Sequence, residues 1–377
     1  MRFVFLAPLP SAFGEALHGA RLASALVERG HAVHFVAPSI IEPTVPAGIP
    51  YVSLDAALPR LDVEVEALCS RLGADVLVLV DASAVDKVCR AFRLSRERIA
   101  NAARRVVSID CWNLVRPPRA WDYGPVSEPL DPWFLEHAAV IRPAPIARAD
   151  APGAYAALPA LAVSSSARRT ETRRRFCLPE RPLIVWPTAR WQLPDSHDNP
   201  ALARIAARLP VLVAPVLAAL GDEIAIAHVS PTPLAAGHQI ATYHPIAPLP
   251  AADFEALMGA ADVVLSFNAA ATSLATAISL GVPTALCAAR DPAGAAQNLR
   301  AWPLSLEQVL GPTVRDNPFY ETMTLVDSLA GDELFSALRA LLFDPGVRDE
   351  RRAAQARYRD AIAMLPTGVD RLLEAAR

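Results

Sequence analysis

Residues 254–288 read FEALMGAADVVLSFNAAATSLATAISLGVPTALCA, and the pattern of this stretch decides the fold. Asp262 is its only charge after Glu255, yet Gly259, Gly281 and Pro283 divide it, so it is not one membrane span. Phe254–Ala261 reads as a short helix and Val263–Ser266 as an apolar strand ending in polar residues. Ala271–Leu280 reads as a second helix, closed by Gly281, and Val282–Ala288 starts another buried strand. Short apolar strands alternating with helices make parallel β-α-β structure with strands buried on both faces. Ser266, Asn268, Thr272 and Ser273 then fall between the C-terminal end of a strand and the N-terminus of a helix. Free N–H groups and the helix dipole favour an anion such as a diphosphate there. The alternative is that Thr272 and Ser273 simply cap the helix.

Outward from this stretch the same alternation continues. Arg2–Ala7 is a strand, Ala16–Arg29 a helix ended by Gly30, and Ala32–Ala37 the next strand. The connecting loop holds only Gly14 before the helix and not GxGxxG, which argues against a dehydrogenase. Tyr51–Leu54, Asp75–Val80, Arg105–Ile109, Ala138–Arg142, Leu183–Pro187, Val211–Pro215 and Gln239–Tyr243 read as further strands. Leu61–Leu72, Val85–Arg98, Ala167–Phe176, Pro200–Arg208, Asp332–Phe343, Asp349–Leu365 and a last segment from Val369 read as helices. Asn113–Leu130 reads as a long loop beyond a strand's C-terminal end, where α/β proteins place ligand contacts. The Pro-, Ala- and Ser-rich run Pro143–Ser166 reads as a connection. The expected class is α/β: two Rossmann-like, doubly wound domains facing a cleft. They span residues 1–161 and 162–347, and helices in 348–377 pack back toward the first.

At 377 residues the chain exceeds one ordinary core, and 53% hydrophobic against 20% charged residues gives it enough apolar side chain to bury two. A formal net charge of −3 argues against a general nucleic-acid binder. Cys69, Cys89, Cys111, Cys177 and Cys287 are scattered without a CxxC pair, which fits a reducing compartment and neither a disulfide framework nor a zinc site. MRFVFLAPLP is too short an apolar run for a secretory signal and leads into a helix, so a cytoplasmic protein is expected.

The N-terminal PLPSAFGEALHGARLASALVERGHAVHFV resembles the opening of GT-B glycosyltransferases, especially the inverting, nucleotide-sugar-dependent kind. AADVVLSFNAAATSLATAISLGVPTAL resembles their donor signature, with the spacing to Gly281-Val282-Pro283 kept. Between about 40 and 240 the likeness is one of strand and helix order only. Counted back from Gly30, the family's catalytic His falls on Glu15. In the donor signature the family His falls on Asn268, the sugar-gripping acid on Thr276, and the turn glycines on Ala269 and Ala270. Thr272 and Ser273 match positions that hold diphosphate.

The resemblance implies transfer of a sugar from a nucleoside-diphosphate sugar to a small-molecule or peptide acceptor, with no metal or other cofactor. Glu15 is the candidate base, since an inverting transfer must take a proton from the acceptor and burial lifts a carboxylate's pKa toward neutrality. Its other reading is an ordinary first-turn acid of a helix. His18, one turn on, is an alternative base or a partner to Glu15. Donor and phosphate candidates are Gly14, Arg190, Trp191, His244, Ser266, Asn268, Thr272, Ser273 and Thr276. Asp110, Trp112 and Trp121 are acceptor candidates. Two alternatives stay open: a GT-B-like protein without transferase activity that serves as a binding or scaffold partner, and a nucleotide-sugar epimerase.

Overall fold

Short runs of branched apolar residues build two parallel sheets, one in each of two units of the chain. The computed structural model describes residues 1–10, 13–55, 58–111, 120–122, 127–129, 133–158, 161–196, 200–235, 237, 240, 242–269, 271–287, 317–326 and 331–377. The first unit comprises Met1–Arg119, Pro129–Ala157 and Ile362–Arg377, and the second Ala120–Glu128 and Leu158–Ala361.

In the first unit β1 (Arg2–Leu6) leads to helix α1 (Phe13–Glu28), then β2 (Ala32–Ala37), β3 (Tyr51–Ser53), α2 (Leu61–Leu72) and β4 (Val76–Leu79). The chain continues through α3 (Ala82–Phe92), α4 (Arg96–Ala100) and β5 (Arg105–Ile109). A small ribbon follows, β6 (Ala120–Asp122) with β7 (Ser127–Pro129), all but Pro129 of it in the second unit, and the first unit then resumes with α5 (Trp133–His137), β8 (Ala139–Ala144) and β9 (Ala154–Ala156). The sheet runs β3-β2-β1-β4-β5-β8-β9. Alternate residues of its strands feed two cores. Phe3, Phe5, Phe35 and Val78 face α1, while Val4, Leu6, Leu77 and Leu79 face α2, α3 and Phe134 of α5. One long helix over Val85–Arg98 is not what forms. Arg93 adopts φ 55 and ends α3, and the Ser95 hydroxyl then accepts from the Arg98 N–H at 3.1 Å to start α4.

The second unit holds α6 (Ser166–Arg175), β10 (Leu183–Pro187), α7 (Pro200–Ala219), β11 (Ala225–Val229), β12 (Tyr243–Ile246), α8 (Ala251–Ala260), β13 (Val263–Ser266), α9 (Thr272–Ser279) and β14 (Thr284–Cys287). After it come α10 (Pro318–Glu321), β15 (Thr324–Val326), α11 (Gly331–Phe343) and α12 (Pro345–Ala363), and α13 (Gly368–Ala375) closes the chain. Its sheet runs β12-β11-β10-β13-β14-β15, and neighbouring strands pair in parallel. Ile184, Trp186, Ile226 and Leu265 pack toward α7 and α11; Leu183, Val185, Ala227 and Val264 pack toward α8 and α9.

The expected strand Val211–Pro215 is helix: α7 runs through it with Pro210 and Pro215 inside. The buried set Leu209, Val213, Val216, Leu217 and Leu220 has helical spacing, and Val211 is 70% exposed, which no central strand residue would be. The strand in this region is β11, whose five residues are all buried. The last strand of the region is also displaced. It is Tyr243–Ile246 and not Gln239–Tyr243, of which residues 239 and 241 lie outside the described set.

Asp262, the only charge of the opening stretch after Glu255, precedes β13. It accepts from Arg169 at 2.5 Å, Arg173 at 2.8 Å and the Leu183 N–H at 2.8 Å. Burial works against its charge, but these donors outweigh it and hold the carboxyl below its usual range. α13 belongs to the first unit: Val369 and Leu372 enter the α1 core, and Arg29 pairs with Asp370 at 2.6 Å.

Candidate functional site

At the C-terminal rim of the first sheet, α1 buries Ala16, Gly19, Ala20, Leu22, Ala23 and Leu26 on one face. Gly19 sets how closely α1 lies on the sheet, because a Cβ there would stand 2.8 Å from Cγ1 of Val80. The depth carries Glu15 and His18, half-buried and one turn apart, into a titratable cluster. Asp81, just past β4, caps α3 by accepting from Ser83 and Ala84. Cys111, just past β5, donates its thiol proton to the Val80 carbonyl at 3.2 Å.

Glu15 is pushed up to about 7, first by burial and then by the negative charge of Asp81; its first-turn N–H pulls the other way. At neutral pH this carboxyl exists in both protonation states. His18 is lowered to about 4 by burial and by Arg21. Its Nε2 meets the Tyr155 hydroxyl, and the two rings stack with centroids 5.6 Å apart. Burial drives the Tyr155 phenol far above its ordinary value, so it keeps its proton. With His18 as its hydrogen-bond partner, Tyr155 donates to Nε2 and leaves the imidazole proton on Nδ1. His18 is thus a neutral, engaged ring, and Glu15 is the stronger base of the two.

Asp110 is 2% exposed and accepts from Nε of Arg142 at 3.0 Å, while Arg142 also donates to the Pro152 carbonyl at 2.8 Å. The carboxylate proposed for an acceptor is therefore held in a buried ion pair. Trp112 lies outside the described residues, and of Trp121 only its place in β6 is described. Gly14 stands in the first turn of α1, in a different unit from the other phosphate candidates.

In the second unit β13 ends at Ser266, whose buried hydroxyl accepts from the Asn268 N–H and donates to its carbonyl, each at 3.2 Å. The N-cap of α9 is Ala271, which has no side-chain oxygen, so neither Thr272 nor Ser273 performs the capping role. Thr272 is exposed and Ser273 buried at this open end. The Thr276 hydroxyl, 3% exposed, donates back to the Thr272 carbonyl at 3.1 Å and so faces the helix itself. The C-terminal end of α9 is closed instead, by Arg359 on the Ile278 carbonyl at 2.7 Å. Arg190 is exposed at the start of a turn over Arg190–Gln192, and Trp191 shares that turn. Gln192, which carries no local sequence signal, is buried: it accepts from the Ala189 N–H at 2.9 Å and donates to the Phe267 carbonyl at 3.3 Å, joining the loops after β10 and β13. His244 is half-buried in β12, and burial lowers its pKa.

A second residue missed from sequence is His228 on β11. It is 4% exposed, stacks on Trp186 with centroids 4.1 Å apart, and meets Thr188 and Tyr243 through its two nitrogens. Among the described residues, no group of three His, Cys, Asp or Glu side chains could hold a metal ion. No helix among them is long and apolar enough to cross a membrane.

Two Rossmann-like parallel sheets in succession define the GT-B fold, and solved structures with that architecture match over the whole chain. The glycosyltransferase VinC in complex with dTDP matches at TM-score 0.58 and 15% identity, covering 100% of this chain and 99% of that one. The spinosyn rhamnosyltransferase SpnG matches at 0.56 and 16%, covering 99% of both. A putative UDP-N-acetylglucosamine 2-epimerase from Listeria monocytogenes matches at 0.55 and 13%, covering 100% of this chain and 93% of that one. No curated protein matches by sequence. Residues 22–298 and 285–377 match DUF6365, described as a family of unknown function, and the chain belongs to that family.

Proposed function

We propose that this chain is a glycosyltransferase that moves a sugar from a nucleoside-diphosphate sugar to a small-molecule or peptide acceptor. The observation that carries the reading is Glu15: a half-buried carboxyl at the first sheet's C-terminal rim, brought to about 7 by burial and Asp81. A group so poised removes a proton from an acceptor hydroxyl or amine as its oxygen or nitrogen attacks the anomeric carbon. His18, neutral and bound to Tyr155, keeps the adjacent turn uncharged and so avoids an ion pair that would return Glu15 to ordinary acidity.

The second unit is proposed to hold the donor. The diphosphate sits at the open N-terminus of α9, on backbone N–H groups with Thr272 and Ser273 beside them, and Arg190 supplies a cation. The leaving diphosphate is then stabilised by protein groups without a metal. Asn268 and Thr276 stand where the resembling enzymes carry a His and an acid, so the sugar is gripped differently. The acceptor is assigned to the first unit, and the protein to the cytoplasm.

A nucleotide-sugar epimerase is the second reading, because the Listeria protein named as a putative epimerase matches about as well as the transferases. Incubation with UDP- and dTDP-sugars, with and without a panel of hydroxyl acceptors, separates the two. Transfer predicts donor loss that requires an acceptor, with free nucleoside diphosphate as product. Donor conversion without an acceptor points to the epimerase. Failure of calorimetry to detect binding of any nucleoside diphosphate or its sugars would remove both and leave a partner-binding role.

A further inference from the structure

We infer that His228 and Tyr243 are positioning residues that hold the Thr188 hydroxyl as a hydrogen-bond donor for a diphosphate oxygen at the second sheet's C-terminal rim. The inference rests on the donor-binding reading above and adds to it a buried relay.

The direction of each bond follows from the hydrogens available. The Leu234 N–H donates to the Tyr243 oxygen at 2.7 Å. Burial raises the Tyr243 phenol, so the proton stays on it, and its remaining partner is Nδ1 of His228 at 2.6 Å. Nδ1 must therefore accept, and the neutral imidazole carries its proton on Nε2. That proton goes to Oγ1 of Thr188 at 2.8 Å. Thr188 now accepts through its oxygen, and among the described residues its own hydroxyl proton has no acceptor. Trp186, stacked on His228, prevents the ring from turning. Three residues thus convert a freely rotating hydroxyl into a donor of fixed sense.

Its place suits an anion. Thr188 follows the last residue of β10, and β10 lies beside β13, which ends at Ser266 and leads to α9. Adjacent strands lie about 4.8 Å apart. Gln192 fastens the two loops beyond them through the Phe267 carbonyl. Thr188 is half-buried, which lets it reach a ligand while His228 behind it stays buried. A fixed hydroxyl donor costs less to order on binding than a free rotor.

The hydrogen order is tested first by long-range proton–nitrogen NMR of the His228 ring in the full chain, assigned with His228→Gln. The expected tautomer is Nε2–H; finding Nδ1–H overturns the relay. Binding is tested by calorimetry with UDP and dTDP as probes and uridine and thymidine as controls. Thr188→Val should weaken the better diphosphate about tenfold, the effect of losing one hydrogen bond to a charged group, and leave the nucleoside unchanged. Thr188→Ser should restore it. Tyr243→Phe should weaken the diphosphate several-fold alone, and add nothing in the Thr188→Val background. Full additivity, or equal losses for nucleoside and diphosphate, overturns the proposal. Diphosphate binding that survives Thr188→Val but is lost in Thr272→Asp sinks the relay and spares the donor site. No diphosphate binding by the unaltered chain sinks both.

Discussion

Beyond the strands of the first sheet stand Glu15, Asp81, Asp110 and Cys111; the second sheet presents Thr188, Ser266, Asn268, Thr272 and Ser273 at the corresponding rim. The two sheets have the same central order, with the first strand flanked by the second and fourth, and each buries apolar residues on both faces. Topology therefore does not dictate the chemistry of a rim. Carboxyls crowded in an apolar setting raise one another's pKa and suit proton transfer. Neutral hydroxyls beside an open helix N-terminus suit a ligand that brings its own negative charge. The contrast has a physical logic, since a carboxylate on the second rim would repel a diphosphate, whereas on the first rim burial, and then repulsion by Asp81, gives Glu15 its basicity.

Glu15→Gln breaks the first rim most directly. It keeps the side-chain shape and removes the base, so turnover with donor and acceptor should fall at least a hundredfold, the usual worth of a general base. Donor binding and thermal midpoint should not fall. A variant that keeps half its turnover would show that Glu15 does not take the proton.

Thr272→Asp exchanges the chemistry of the second rim. Thr272 is exposed in the first turn of α9, where a carboxylate interacts favourably with the helix dipole by about 0.3–1 kcal/mol. The same charge should weaken UDP or dTDP binding by roughly ten- to a hundredfold. A raised midpoint with lost binding distinguishes an anion site from a merely structural helix end. If affinity is unchanged, the diphosphate does not sit there.

How much of this was legible in sequence differs between the rims. Val263–Ser266 and Leu183–Pro187 are legible at their observed bounds because Gly, Pro or polar residues cut these apolar runs on both sides. Val211–Pro215 misled because a short apolar run fits strand and helix alike, and Pro210 and Pro215 argued against the helix that packing imposes. Glu15 is legible as a candidate from the resemblance, because the family's catalytic His falls on it, but its poise is not, since Asp81 arrives from beyond another strand. His228 carried no local signal. Its partners Thr188 and Tyr243 lie 40 and 15 residues away, and the strand that presents it was itself missed. Periodicity records which face is buried; it does not record what a buried polar residue meets.

Gly19→Ala tests how far the first rim depends on the seating of α1. The new methyl group would overlap Val80, and overpacking of this kind costs about 1–3 kcal/mol. Chemical denaturation should show that loss, and Val80→Ala in the same chain should recover most of it. If Gly19→Ala is as stable as the parent, α1 is not seated by this contact.

The smallest effect sets the two rims against each other through pH. Glu15 titrates near 4.5 in an unfolded chain and at about 7 when folded. Between those values the folded chain keeps a proton that the unfolded one releases, so this group makes stability fall as pH rises from 4.5 to 7. His18 and His228 act oppositely. Each is lowered from 6.5 to about 4, so the stability they confer is complete above 6.5 and is lost as pH falls toward 4. Glu15→Gln should therefore match the parent at pH 4.5 and exceed it by on the order of 1 kcal/mol at pH 8, allowing for the carboxyl's partial access to water. His228→Gln, on the second rim, should lessen only the acid-side decline, whatever its cost at neutral pH. Urea midpoints at pH 4.5, 6 and 8 decide it. Curves for Glu15→Gln and the parent that run parallel would mean that Glu15 titrates as an ordinary surface acid, and the first rim would lose the property that sets it apart.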